Sequence, residues 1–136
     1  MKNHILITLV SLALVVFYAN AAYANTNAKE EVTTAITHAG YADKMTDVKQ
    51  IQLHLHHVIN CLVGSKGIDF DPKAGDPCLH MGNGAINDFK GDKLERDMLS
   101  QALSEAEYGL MTHRTKIAHN AADLVEHSLK NAKYDN

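Results

Sequence analysis

The chain predicts an all-α fold, an up-down-up-down four-helix bundle assembled from two similar helical hairpins joined by a long disulfide-stapled loop. Three observations point there. Apolar residues recur at spacings of three and four over four separate stretches, no stretch of useful length alternates with period two, and nearly all the glycines and prolines gather in one middle segment.

Taken in order, Lys2 and His4 precede an apolar run from Ile5 to Phe17 that closes on Ala22-Tyr23-Ala24. That small-x-small pattern is what signal peptidase accepts, so residues 1–24 read as a cleaved signal peptide and residues 25–136 as one domain. The run is too short to cross about 30 Å of hydrocarbon comfortably, which argues against a membrane anchor. Ala28 to Ala42 carries Val32, Ala35, Ile36 and Ala39 at helical spacing, with Glu30 and Glu31 in the first turn, where the helix dipole favours anions. Asp47 to Val63 carries Ile51, Leu55, Val58 and Leu62, the seam of a packed helix. Asp92 to Leu110 follows with Met98 or Leu99, Ala102, Leu103 and Ala106, and Thr112 to Lys133 with Ile117, Ala121, Leu124 and Ser128.

An internal repeat supports the pairing. Sliding the sequence so that Ala35 falls on Ala102 also sets Ala39 on Ala106, Tyr41 on Tyr108, Val58 on Val125 and Leu62 on Leu129, without a gap. Each copy is a helix, a tight connection and a second helix, and two such hairpins bury their apolar faces together as a bundle. Between them, residues 64–91 hold six glycines with Pro72 and Pro77. A loop this long in a small domain is usually functional or disordered, and a disulfide inside it favours order. Asp69, Asp71 and Asp76 read as turn-forming and solvating carboxylates, because the segment lacks the glycine and oxygen ligand of a calcium loop.

With 13 Lys and Arg against 16 Asp and Glu, no tryptophan and few aromatics, the chain lacks the basic clusters and stacking platform of a nucleic-acid surface. Its two cysteines, in an exported chain, read as one disulfide between Cys61 and Cys78, with thiolate metal ligation as the alternative. Closing a loop of about 18 residues is worth about 3 kcal/mol in the chain-entropy account. Catalysis is not expected, since there is no Gly-rich phosphate loop, no Gly-x-Ser-x-Gly and no His-Glu-x-x-His.

Histidines supply the functional lead. On a helical wheel with Ile51 at zero, His54, Cys61 and His57 fall at about 300°, 280° and 240°, a stripe beside the seam, whereas His56 falls at about 140° and faces outward. His54 and His57, at i and i+3, can share one ion. A Cys61–Cys78 staple would bring His80 and Met81 toward them, so the leading ligand set is His54, His57 and His80 with Met81 as a soft fourth ligand. Imidazole suits copper, zinc and nickel, and a thioether adds preference for copper(I). His38, His56, His113 and His127 are weaker candidates. His113 and His127 stand too far apart along one helix to hold an ion together, and His38 lies on the flank of the first helix, where its contribution depends on how the helices pack.

Ala35-Ile-Thr-His38-Ala39-Gly-Tyr41-Ala42 followed by His54-Leu-His56-His57, in a duplicated helical hairpin behind a signal peptide, resembles the periplasmic small metal-binding proteins. The resemblance covers roughly residues 35–62 and 102–133. It implies a small four-helix bundle with histidines along its helices that binds copper, nickel and other divalent ions and buffers or traffics them in the periplasm. Glu105 stands where His38 would recur, and the Cys-bridged loop departs from that family's pattern. Both departures favour one or two defined sites over high-capacity storage. Two other readings stand beside metal binding: an interaction module whose bridged loop binds a protein partner, and a b-type haem bundle ligated by His and Met. A covalent haem is excluded by the absence of Cys-x-x-Cys-His. After signal cleavage neither nucleic acid nor membrane is expected as a partner.

Overall fold

Aspartates open two of the helices that the apolar spacing predicts. The structure, a computed structural model, describes residues 27–132, which are helical with connecting turns and contain no strand. The expected signal segment lies outside the described residues. Helix α1 covers 27–44, α2 Val48–Val63, α3 Ala85–Asp88, α4 Lys93–Leu110 and α5 Thr115–Asn131. Asp47 caps α2 by accepting from the backbone N–H groups of Lys49 and Gln50 at 3.0 and 3.2 Å. Asp92 and Glu95 form a reciprocal capping box on α4. Thr112, expected inside the last helix, instead accepts from the Arg114 N–H at 3.1 Å in the turn before α5, which delays that helix to Thr115.

The seam Ile51, Leu55, Val58 and Leu62 is fully buried, each side chain stabilising the fold by about 1.5–3 kcal/mol. Facing it are Ala28, Val32, Ala35, Ala39 and Ala42 of α1, Leu99, Ala102 and Ala106 of α4, and Ala118, Ala122, Val125 and Leu129 of α5. Alanines dominate the flanking helices, so helix axes approach closely around a small core. α4 packs along α5, and α2 lies against both. The Gln52 amide ties α2 to the α4–α5 connection by donating to the carbonyls of Leu110 and Thr112 at 2.9 and 2.8 Å. α1 closes over α2 through His38 and His54, and over α5 through Gly40 against the Glu126 carboxylate.

The middle segment is ordered, and contains the one-turn α3 that the sequence does not signal. Cys61 and Cys78 are joined, with Cα atoms 5.2 Å apart and no free cysteine left among the described residues. Asp71 and Asp76 make local turns, accepting from the N–H groups of Lys73 and Cys78 at 2.9 and 3.0 Å. The loop's two ends meet where Gly64 and Gly84, at φ 71° and 99°, stack backbone on backbone. A Cβ on Gly64 would overlap the Asn83 carbonyl, and one on Gly84 would overlap the end of α2 at Val63.

The far end of the loop docks on α1 through Glu31, which is 1% exposed. Its Oε1 accepts from the Gly84 N–H at 2.9 Å, while Oε2 is buried without a hydrogen-bond partner. Burial, opposed by the Gly84 hydrogen bond and aided by Asp88, pushes this carboxyl up to about 7. So Glu31 is not simply a first-turn anion facing solvent.

A candidate metal centre of three histidines

α1 and α2 each contribute to a cluster on their shared flank. His38 comes from α1, and His54 and His57 come from successive turns of α2, their i, i+3 spacing setting both rings on one stripe. The Nδ1 atoms of His38 and His54 are 3.1 Å apart, and those of His38 and His57 are 3.2 Å apart. All three residues are half-buried, and their ligand atoms lie within 4.8 Å of one another. Tyr41 stands edge-on to His38 with ring centroids 5.6 Å apart and shields the outer side.

One proton position is fixed. His57 Nε2 lies 2.7 Å from the Ala74 carbonyl oxygen, which can only accept, so the ring carries its hydrogen on Nε2 and leaves Nδ1 as a bare lone pair aimed at His38. Backbone carbonyls hold metal-ligating histidines in this way, setting tautomer and ring orientation together. Burial, with His57 and His54 adding to it, pulls His38 down to about 4, and burial, then His57, lowers His54. These two rings therefore stay neutral where an ordinary histidine is half protonated, and neutral imidazole is the ligand form. With a metal–nitrogen bond of about 2.0–2.1 Å, the nitrogen–nitrogen edge is about 3.3 Å for tetrahedral and about 2.9 Å for octahedral geometry. The observed 3.1 and 3.2 Å contacts fall between those limits.

Without a cation the arrangement is under-satisfied. If His38 carries its hydrogen on Nδ1, one hydrogen is shared between His54 and His57; if it does not, the His38 and His57 lone pairs face each other across 3.2 Å. An ion at the centre would remove that conflict.

The carbonyl that orients His57 is itself held. Asn60, fully buried one turn along α2, donates from Nδ2 to the carbonyls of Asp71 and Gly75 at 2.9 and 2.6 Å and accepts at Oδ1 from the Asp71 N–H at 2.9 Å. The loop is thus fastened to α2 on either side of Ala74.

Of the ligands expected from sequence, the structure brings His54 and His57 together and joins them with His38, the weaker candidate. His80 is exposed, in a left-handed backbone conformation at φ 70°, and is not in the cluster. Met81 lies a turn further along α1, its sulfur 3.6 Å from the Thr34 hydroxyl that donates to it. His56 tucks toward the loop, with Nδ1 3.7 Å from the Asp71 carboxylate. His113 and His127 are exposed on the other half of the molecule. The residues missed by sequence reasoning are Asn60 and Ala74. A trace of Asn60 exists, since it is the one polar side chain in the run Val58-Ile59-Asn60-Cys61-Leu62-Val63. Ala74 acts through its backbone and leaves no trace.

Comparison of the chain with models of protein families, with curated proteins and with solved structures finds no match. Among the described residues no helix is long and apolar enough to cross a membrane.

Proposed function

We propose that the protein is an exported, non-enzymatic binder of a transition-metal ion, held by His38, His54 and His57 and serving to buffer, carry or sense the metal. The observation that carries this reading is the close approach of three imidazoles around His38 Nδ1, with His57 donating from Nε2 to the Ala74 carbonyl so that its Nδ1 is the lone-pair nitrogen of the neutral ring. Copper is the first expectation, then nickel or zinc, because imidazole ligands suit these ions and affinity along the divalent series peaks at copper. Haem fits the cluster less well, since axial histidines approach an iron from opposite faces while these rings converge on one point. Export, to a periplasm if the resemblance drawn from sequence holds, rests on the signal-like N-terminus and agrees with the disulfide. The helix pairings α1 with α2 and α4 with α5 are read here as the two hairpins of an up-down-up-down bundle.

The test is native mass spectrometry of untagged mature protein titrated with copper, nickel and zinc salts. One ion per chain, lost in His38→Ala and His57→Ala but retained in His80→Ala and His113→Ala, is expected. Absence of binding at micromolar metal, or binding that survives both cluster variants, would overturn the reading.

A further inference from the structure

Asn60 and the short segment 71–75 have no part in the apolar core or in the ligand set, yet here hydrogen bonds fasten the middle loop to α2 beside the disulfide. Three hydrogen bonds from one fully buried amide hold Asp71 and Gly75, and the only residue of that segment to reach the cluster is Ala74, by its carbonyl on His57 Nε2 at 2.7 Å. A buried amide with both hydrogens and its oxygen engaged is a rigid anchor, because every alternative rotamer would strand polar groups away from water. The bracketed carbonyl inherits that rigidity. Gly75, at φ 89°, lets the chain turn back after touching His57, and a Cβ there would meet only His57 Nε2, at 3.9 Å.

We infer that Asn60 is a positioning residue for the metal centre: by clamping segment 71–75 against α2 it holds the Ala74 carbonyl on His57 and so fixes the tautomer that presents Nδ1 to the ion. The inference rests on the metal reading above for its consequence, and on metal-free geometry for its cause. Outer groups of this kind typically govern metal affinity by about 10–100-fold. The segment also confers a polarity on the loop. Residues before Cys78 serve the centre, whereas those after it, His80 and Met81, run toward α1 and away from His57.

The experiment pairs two readouts on wild-type protein and Asn60→Asp, which keeps the side-chain shape and the acceptor but loses the donors to Asp71 and Gly75. Nitrogen-15 long-range correlation spectra of the metal-free proteins at neutral pH report the His57 tautomer, and titration with copper(II) and zinc salts reports affinity. Wild type should show His57 protonated on Nε2 alone; Asn60→Asp should show a mixture and bind about 10–100-fold more weakly with its helical circular dichroism unchanged. Gly75→Ala, which keeps the Asn60 side chain but strains the φ 89° residue whose carbonyl that amide holds, should shift both readouts in the same direction and serves as the test if Asn60→Asp does not fold. An unchanged tautomer in the folded variants, or weaker binding with no tautomer change, overturns the inference. Failure of wild type to bind either ion overturns the function proposed above, and the metal-free spectra then still decide whether Asn60 sets the tautomer.

Discussion

Residues 35–62 and 102–129 bury matching seam positions. Ala35 and Ala102, Ala39 and Ala106, Val58 and Val125, and Leu62 and Leu129 are all within 1% of full burial, and Tyr41 and Tyr108 are both exposed. Where the first half places His38, the second places Glu105; where it places Cys61, the second places Ser128. That Glu105 accepts from that Ser128 at 2.8 Å and from Gln101 at 2.9 Å, so the second half makes a local hydrogen-bond network where the first builds a histidine cluster and a staple. The helical scaffold is common to both, whereas among the described residues only the first half is joined to the loop by a disulfide and carries three clustered histidines.

Breaking the cluster should have the largest effect. His57→Ala and His38→Ala are expected to weaken metal binding by about 100-fold or more, beyond the roughly 10–100-fold range of outer-shell changes, while Glu105→Ala leaves it unchanged. Equal losses in Glu105→Ala, measured by competition with a chelator of known affinity, would erase the distinction between the halves.

Next comes the staple. Cys61→Ser with Cys78→Ser should cost about 3 kcal/mol in urea unfolding, and hydrogen exchange should quicken first across residues 64–84 rather than in α4 and α5.

Glu31 offers a pH-dependent contrast. Burial holds its folded-state carboxyl up at about 7 against an ordinary 4.5, so the folded chain binds more protons between those values and stability declines as pH rises through 7. Glu31→Gln, which still accepts from the Gly84 N–H, should remove that decline and add on the order of 2–3 kcal/mol at pH 8. A parallel pH dependence in wild type and variant would rule this out.

His38 has the opposite sign. The unfolded chain protonates it near 6.5 and the folded site only near 4, so stability without metal falls as pH drops through that window. Binding should accordingly resist acid: between pH 7.5 and 5.5 affinity should fall by less than the roughly 1000-fold expected of three ordinary imidazoles. Calorimetry at the two pH values checks this. The smallest effect belongs to the second half, where Ser128→Ala should cost about 1 kcal/mol and leave metal binding untouched.

Much of this was legible in the sequence for local reasons. Seam spacing in α2 and the stretches opening at Asp47 and Asp92 place helices within a few residues, and one disulfide is the simplest reading of two cysteines behind a signal-like N-terminus. The pair His54 and His57 was legible because i, i+3 geometry is internal to one helix. His38 was not, because only the packing of α1 on α2 decides which flank meets which. His80 misleads for a directional reason. Cys61 lies one turn beyond His57, so the residues that run back along α2 toward His57 are those before Cys78, and the chain after the disulfide crosses to Glu31 and Thr34 of α1. A disulfide fixes a point of contact without fixing the sense in which the chain passes through it.

The stacked glycines give the molecule an additional property. Because Gly64 and Gly84 touch, the 19 residues between them leave and rejoin the scaffold at one place, as a handle does on a cup, a geometry whose closure cost grows only by about 0.6 kcal/mol for each doubling of length. Such a segment can lengthen, shorten or change its side chains without moving the helices that bracket it. The three clustered imidazoles stay on α1 and α2, and varying residues 65–83 around Cys78 asks how far the loop shapes the proposed site without altering them.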